Sequence, residues 1–362
     1  MTTVGDIIRF MNRIAPFERA EKWDNSGLLA GDENQPVKKV MLALDAADWV
    51  IAEAAEKKAD LLITHHPAFF DAFKRVTAPG KAYRLVRNGI ALISAHTNLD
   101  IAAGGVNDAL AELFQLTDIS GLERIGSRPY YKVCTFVPDE NAQAVYQAMA
   151  DAGAGALGDY TGCGYFTKGE GTFVPGNTAH PFIGNPGQAE TVKETKIEML
   201  CAPDLLGEVI DALKEAHPYE EPAYDIFENH GVKQELFLGK VGFLQEPCSV
   251  KDFALLIKKA LKLDTVCMVD GGRKIQKVAI CSGAGSSSLP GVIASKADAF
   301  LTGELKYSAM LELKERGITA AVAGHFETEN VVLPALKKQL VQAFPEVEVV
   351  YSETNRSPME FY

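Results

Sequence analysis

The sequence predicts an α/β protein in which duplicated βαβ units form one α/β body, interrupted by an inserted α+β domain of ferredoxin-like type. Three observations carry this. Short apolar runs of strand type alternate with helically spaced segments near both ends of the chain. Those two regions repeat one pattern. The stretch between them changes character. At 362 residues the chain is too long for a single core, and the pattern places boundaries at 1–126, 127–238 and 239–362.

In order along the chain, Met1 to Arg13 reads as an amphipathic helix carrying Asp6, Arg9 and Arg13, without the layout of a signal peptide. Lys39–Leu44 is a buried strand. Asp48–Lys58 has helical spacing, with Trp49, Ile51, Ala52 and Ala55 as its inward positions. Leu61–Thr64 is the next strand, Lys81–Arg87 a helix and Ile90–Ser94 a third strand. The late repeat uses Lys277–Cys281, Ala299–Thr302 and Thr319–Ala323. In both copies a Lys-Val pair leads to Ala-Asp (Ala59-Asp60, Ala297-Asp298) at the same distance. Each copy then passes through a helix to a glycine that opens the last strand (Gly89, Gly317), and that strand leads to a histidine, His96 or His325.

Between the copies, Tyr131–Val137 alternates like a half-buried strand and Asn141–Ala150 suits a helix. A loop rich in glycine and proline runs from Gly153 to Gly187. Lys196–Cys201 is again a strand and Leu205–Ala216 a helix, before a turn into Ala223–Phe227. That order suits the ferredoxin-like plan.

Net charge is −12, which disfavours nucleic acid and anionic lipid as partners. No apolar run is long enough to cross a membrane. The six cysteines are scattered with no C-x-x-C pair, as expected of small buried hydrophobes in a cytoplasmic protein.

The histidines are more informative. Thr64-His65-His66-Pro67 follows a buried strand directly, where the chain leaves a parallel sheet and side chains face a crevice. His96-Thr97-Asn98-Leu99-Asp100 leaves the next strand, and Gly324-His325-Phe326-Glu327-Thr328-Glu329 leaves a strand of the second copy. His325 and Glu329, at i and i+4, share a helix face. Each motif alone also suits a solvated loop, a helix cap or a surface pair. Together, His65, His66, Asp100, His325 and Glu329 offer three nitrogens and two carboxylates at strand ends, a donor set for divalent metal. One carboxylate can bridge two cations, as in dinuclear hydrolytic centres. Glu304 is either a pocket acid or a helix-opening carboxylate. Ser282–Ser288 is either a turn or an anion-binding loop.

These stretches, with Glu21-Lys22-Trp23-Asp24-Asn25-Ser26-Gly27-Leu28-Leu29, resemble in order the motifs of the GTP cyclohydrolase I type 2-like family, also called Nif-three-like. The insert is similar to the P-two and CutA folds through Gly162–Phe166, Gly169–Phe173, Asn177–Gly184 and His217–Glu221. The resemblance implies a homohexameric toroid with two divalent ions per subunit, zinc, iron or manganese. By motif, His65, His66, Asp100, His325 and Glu329 are the metal ligands and Glu329 is the bridge. His96 stands beside the site, and His96 or Glu329 serves as the catalytic proton shuttle.

The expected activity is hydrolysis by metal-activated hydroxide. The family label implies opening of the guanine imidazole ring of GTP, and a phosphoester would suit the same metals. The alternative is a non-catalytic hexameric scaffold, metal chaperone or regulatory protein. Two positions depart from the family pattern. Ser308 replaces a histidine common after Tyr307, which puts full activity in doubt, and Phe69-Phe70 are bulkier than usual beside the HH-P turn.

Overall fold

Thr3 caps the first helix, Val4–Ile14: its hydroxyl accepts from the Asp6 amide, and Asp6 accepts from the Thr3 amide. Val4, Ile7 and Met11 on one face of that helix are fully buried. The computed structural model describes residues 1–72 and 74–360. Its packing divides the chain into two units, Met1–Ile125 with Phe237–Tyr362, and Gly126–Leu236. The first segment supplies β1 (Gly27–Ala30), β2 (Lys39–Ala43), β3 (Leu61–Thr64) and β4 (Ala91–Ser94). Then come β5 (Thr117–Pro138), β6 (Gly164–Phe173), β7 (Glu190–Cys201) and β8 (Tyr224–Cys248). The last segment adds β9 (Cys267–Val269), β10 (Ile275–Ala284), β11 (Ala299–Glu304), β12 (Thr319–Val322) and β13 (Glu348–Tyr351).

In the first unit, β2, β3 and β4 are parallel neighbours, with β13 parallel at one edge and β1 antiparallel at the other. Alternate residues go to opposite faces. Val40, Leu42, Leu61 and Ile63 join one core, while Met41, Ala43 and Leu62 join another. The second parallel set, β10, β11 and β12, is flanked by antiparallel β8 and β9. It shares its side chains between two cores in the same way: Val278, Ile280 and Leu301 on one face, Ala279, Cys281 and Phe300 on the other. Burial on both faces is why these strands read as continuous apolar runs.

The repeat extends to individual hydrogen bonds. Asp60 Oδ2 accepts from the amides of Lys38 and Lys39, and Asp298 Oδ2 accepts from those of Gln276 and Lys277. Gly89 and Gly317 both take positive φ (65° and 68°) where the chain reverses from helix to strand.

In the second unit the elements run strand, helix (Ala142–Asp151), strand, strand, helix (Leu206–Ala216), strand. β6 and β5 pair antiparallel on either side of β7, and both helices bury Val145, Met149, Val209 and Leu213 in one core.

Three expectations are corrected. The inward face of helix Asp48–Glu56 is Val50, Ile51, Glu53 and Ala54, and Trp49 and Ala52 are exposed. The helix is rotated because Glu53 is buried to receive hydrogen bonds from Ser352, Glu353 and Thr354. The stretch Gly153–Gly187 is not all loop. Its centre is β6, an edge strand whose exposed faces give it no apolar alternation. Of the cysteines, Cys163 and Cys267 are exposed rather than buried.

Candidate metal centre

The ends of β3, β4 and β12 are built to turn side chains inward. Beyond β3, Thr64 Oγ1 donates to the His66 carbonyl at 2.8 Å, and the His66 amide donates to Leu44 O at 2.9 Å. That tight turn sends His65 and His66 to the same side. Beyond β4, the short helix Thr97–Ile101 carries Asp100. Beyond β12, Gly324 opens helix His325–Glu329 with φ of 90°, and a Cβ there would strike the Glu327 carboxylate.

Asn107 fastens the two copies together. Its Nδ2 donates to Asp100 O at 2.9 Å, and its Oδ1 accepts from the Ser282 amide at 2.9 Å. Gly283 (φ 58°) must lack a side chain, because a Cβ would stand only 2.1 Å from Glu329 Oε1.

All six predicted site residues converge. Glu329 stands among three imidazoles, with Oε2 at 2.9 Å from His66 Nε2 and 3.8 Å from His65 Nε2. Its Oε1 lies 3.1 Å from His325 Nε2. Asp100 Oδ1 lies 3.6 Å from His65 Nε2. The His96 ring centre is 5.2 Å from that of His65 and 5.3 Å from that of His66. Three overlapping groups have the spacing to hold a metal ion: His65, His66 and His96; His66, His325 and Glu329; His65, Asp100 and Glu329.

Each histidine is oriented by an oxygen on its other nitrogen. His65 Nδ1 donates to Ala95 O at 2.8 Å, His66 Nδ1 to Asp45 at 2.8 Å, His96 Nδ1 to Asp24 at 2.8 Å and His325 Nδ1 to Glu304 at 3.1 Å. With Nδ1 carrying the proton, the Nε2 lone pairs of His65, His66 and His325 point at carboxylate oxygens. Two such atoms, His65 Nε2 and Glu329 Oε2, are buried with no hydrogen bond of good geometry. Acceptors facing each other at these distances require positive charge between them. The donor set therefore fits divalent cations.

The electrostatics express the same demand. Burial raises the Glu329 carboxyl, but His325, His65 and His66 more than offset this and hold it well below the usual range. Burial, reinforced by the Glu329 charge against the pull of His65, pushes Asp100 up. His65 and His66 resist burial because Asp100, Asp45 and Glu329 favour their charged forms, and His66 is pushed up to about 10. His325 is raised, first by its bond to Glu329.

Asp45, and the pairing of Asp24 with His96, were not read from the sequence. The signal was available: Asp45 follows β2, whose Ala43 pairs with Thr64 beside the HH-P turn. Of the two readings of Glu304, the helix-opening carboxylate fails, since the next helix, Tyr307–Glu315, has no side-chain cap; Glu304 is an exposed acid that holds His325 of the site. The Ser282–Ser288 stretch does not present its leading amides to an anion, because Ser282 and Gly283 donate to Asn107 and Thr328. Ser308 is exposed. Phe70 and Trp23, both exposed, stand edge-on to His96 at 6.0 and 5.7 Å.

The profile of the Duf34/NIF3 (NGG1p interacting factor 3) family matches residues 2–358. A GTP cyclohydrolase 1 type 2 homolog of Bacillus subtilis is 35% identical over 364 residues, covering 98% of this chain and 97% of that protein. A namesake from Listeria innocua is 37% identical over 361 residues, covering 97% and 96%. The crystal structure of a Bacillus cereus protein related to NIF3 superimposes with a TM-score of 0.84 at 34% identity, over 99% of both chains. Among the described residues no helix is long and apolar enough to cross a membrane.

Proposed function

The chain belongs to the Duf34/NIF3 family, and on that premise we propose that it is a hydrolase dependent on two divalent cations, zinc, iron or manganese. The observation that carries the reading is Glu329: a buried carboxylate with His325 on one oxygen and His65 and His66 on the other. That is the placement of a bridging ligand. His65, His66, Asp100 and His325 complete the donor set. Bound cations would supply Lewis acidity and lower the pKa of water toward neutrality.

The chain's own residues do the rest. Asp45, Glu304 and the Ala95 carbonyl hold three imidazoles in place, so little reorganisation accompanies metal uptake. His96, held by Asp24, keeps a ring nitrogen beside the donors and transfers a proton to or from substrate or water. The relatives' name suggests GTP as substrate, and a small phosphoester fits the same chemistry. In this reading residues 127–238 are an inserted ferredoxin-like domain, and the assembly is a homohexamer.

The test is elemental analysis of protein purified without added metal, followed by incubation with GTP and model phosphoesters. About two equivalents of metal per chain are expected. Asp100→Ala and Glu329→Ala should lose metal and turnover together. A stoichiometry of about one or zero would defeat the two-metal reading. Full metallation without turnover would instead favour the scaffold or metal-chaperone role.

A further inference from the structure

The unit Gly126–Leu236 contains a cavity of about 680 Å³, a size typical of small-molecule sites. Three of the four stretches that the sequence sets apart in this region line it: Gly169–Phe173, part of Asn177–Gly184, and Tyr219 to Glu221. Its walls are aromatic. Tyr219 packs against Phe173 and Phe182 with ring centres at 5.8 and 6.4 Å. His217 fixes that tyrosine, accepting from the Tyr219 amide on Nδ1 at 3.1 Å and donating from Nε2 to Phe136 O at 3.0 Å.

The polar floor is Glu194, only 8% exposed. The Tyr219 hydroxyl donates to its Oε1 at 2.8 Å. Its other oxygen lies against Gly171, where a Cβ would collide with it, so the glycine makes room for the carboxylate. Among the described residues no lysine is paired with it. Of the two that line the cavity, Lys168 is bound to Asp139 at 2.8 Å and Lys196 to Glu198 at 2.7 Å. The rim adds Glu220, which accepts from the His180 amide, and Glu221. A carboxylate buried under aromatic rings calls for a cation to complement it.

We propose that this cavity binds a small organic cation with a flat aromatic body, its positive nitrogen against Glu194 and its ring among Tyr219, Phe173 and Phe182. Nothing in the metal-centre reading depends on this site, which is formed wholly within one unit.

The test uses three probes of one shape on the full-length protein: cationic naphthamidine, neutral naphthamide and anionic naphthoate. Their affinities would be measured by calorimetry and ligand-observed NMR. A charge-assisted bond to a buried carboxylate should make the amidine bind about tenfold or more tighter than the amide, with naphthoate weakest. Glu194→Gln should abolish the amidine's advantage while the amide binds as before. Phe182→Ala, at a half-exposed position that poses little risk to folding, should weaken amidine and amide alike. Equal affinity for amidine and amide, an amidine preference surviving Glu194→Gln, or no binding of any probe would overturn the proposal.

Discussion

The two βαβ copies of the body share a backbone and divide the chemistry between them. Thr64 in β3 and Thr302 in β11 hold equivalent places, in equivalent register with their neighbours. After Thr64 come His65 and His66; after Thr302 come Gly303 and Glu304. At the position where the first copy plants a buried imidazole, the second has no room for any side chain. A Cβ on Gly303 would press on the Gly283 carbonyl and the His325 Cα at 2.6 and 2.7 Å. The first copy thus contributes His65, His66, His96 and Asp100, and the second contributes His325 and Glu329. Duplication brings two sets of strand ends to one place. The asymmetry decides that they build one site instead of two weak ones.

Each copy also holds a candidate ligand with an outer carboxylate, and this parallel can be broken experimentally. Asp45 orients His66 and Glu304 orients His325, at 2.8 and 3.1 Å. Asp45→Asn and Glu304→Gln should each weaken metal binding by about 10–100-fold, as removal of such partners generally does. Asp45 should be the costlier of the two, since its bond is shorter and Glu304 is more exposed. Chelator competition measures this. Unchanged affinity in both variants would mean that the outer carboxylates are incidental.

Acid stability should separate the copies next. Burial pushes the Glu53 carboxyl up, but bonds from Ser352, Lys57 and Thr354 more than offset this and hold it well below the usual range. No equivalent buried carboxylate stands on helix Leu289–Ser295 of the second copy. A group whose folded pKa is depressed stabilises the fold above its unfolded value, about 4.3, and loses that contribution as pH falls below it. Urea titrations of wild type and Glu53→Gln should therefore differ by about 1–3 kcal/mol at neutral pH and converge toward strong acid. A gap that stays constant down to strong acid would mean that the Glu53 charge is not what Ser352–Thr354 recognise.

The pattern of what the sequence revealed follows from range. The grouping of His65, His66, Asp100, His325 and Glu329 was legible because His65 and His66 follow a buried strand directly, and Asp100, His325 and Glu329 ride the short helices that leave neighbouring strand ends. Asp45 was not, and Glu304 was legible only as a candidate pocket acid without its partner His325, because both roles depend on which neighbour the register sets beside them. The outward face of Trp49 was misread for a similar reason: the partners that bury Glu53 arrive from Ser352–Thr354, at the far end of the chain. β6 went unseen because a strand that buries neither face leaves no alternation to detect. The aromatic cavity needed the fold, since its lining is drawn from β5, β6, β7 and two separated turns that only the folded chain brings together.

The smallest expected effect gives the sharpest comparison. Asp60 and Asp298 each accept two backbone amides through one oxygen, at 2.8 and 2.9 Å in the first copy and 2.8 and 3.1 Å in the second. If the copies are one device used twice, Asp60→Asn and Asp298→Asn should cost nearly the same stability, about 1 kcal/mol each. The bonds lie in separate sheets with no shared partner, so the double variant should lose the sum. Arg273, 3.5 Å from Asp298, adds an ion pair in the second copy. Its partial exposure makes that pair worth little, so it should enlarge the loss only by a few tenths of a kcal/mol. Urea midpoints of the two single variants decide the matter. A difference above about 1 kcal/mol would show that the matching hydrogen bonds carry unequal loads despite their common geometry.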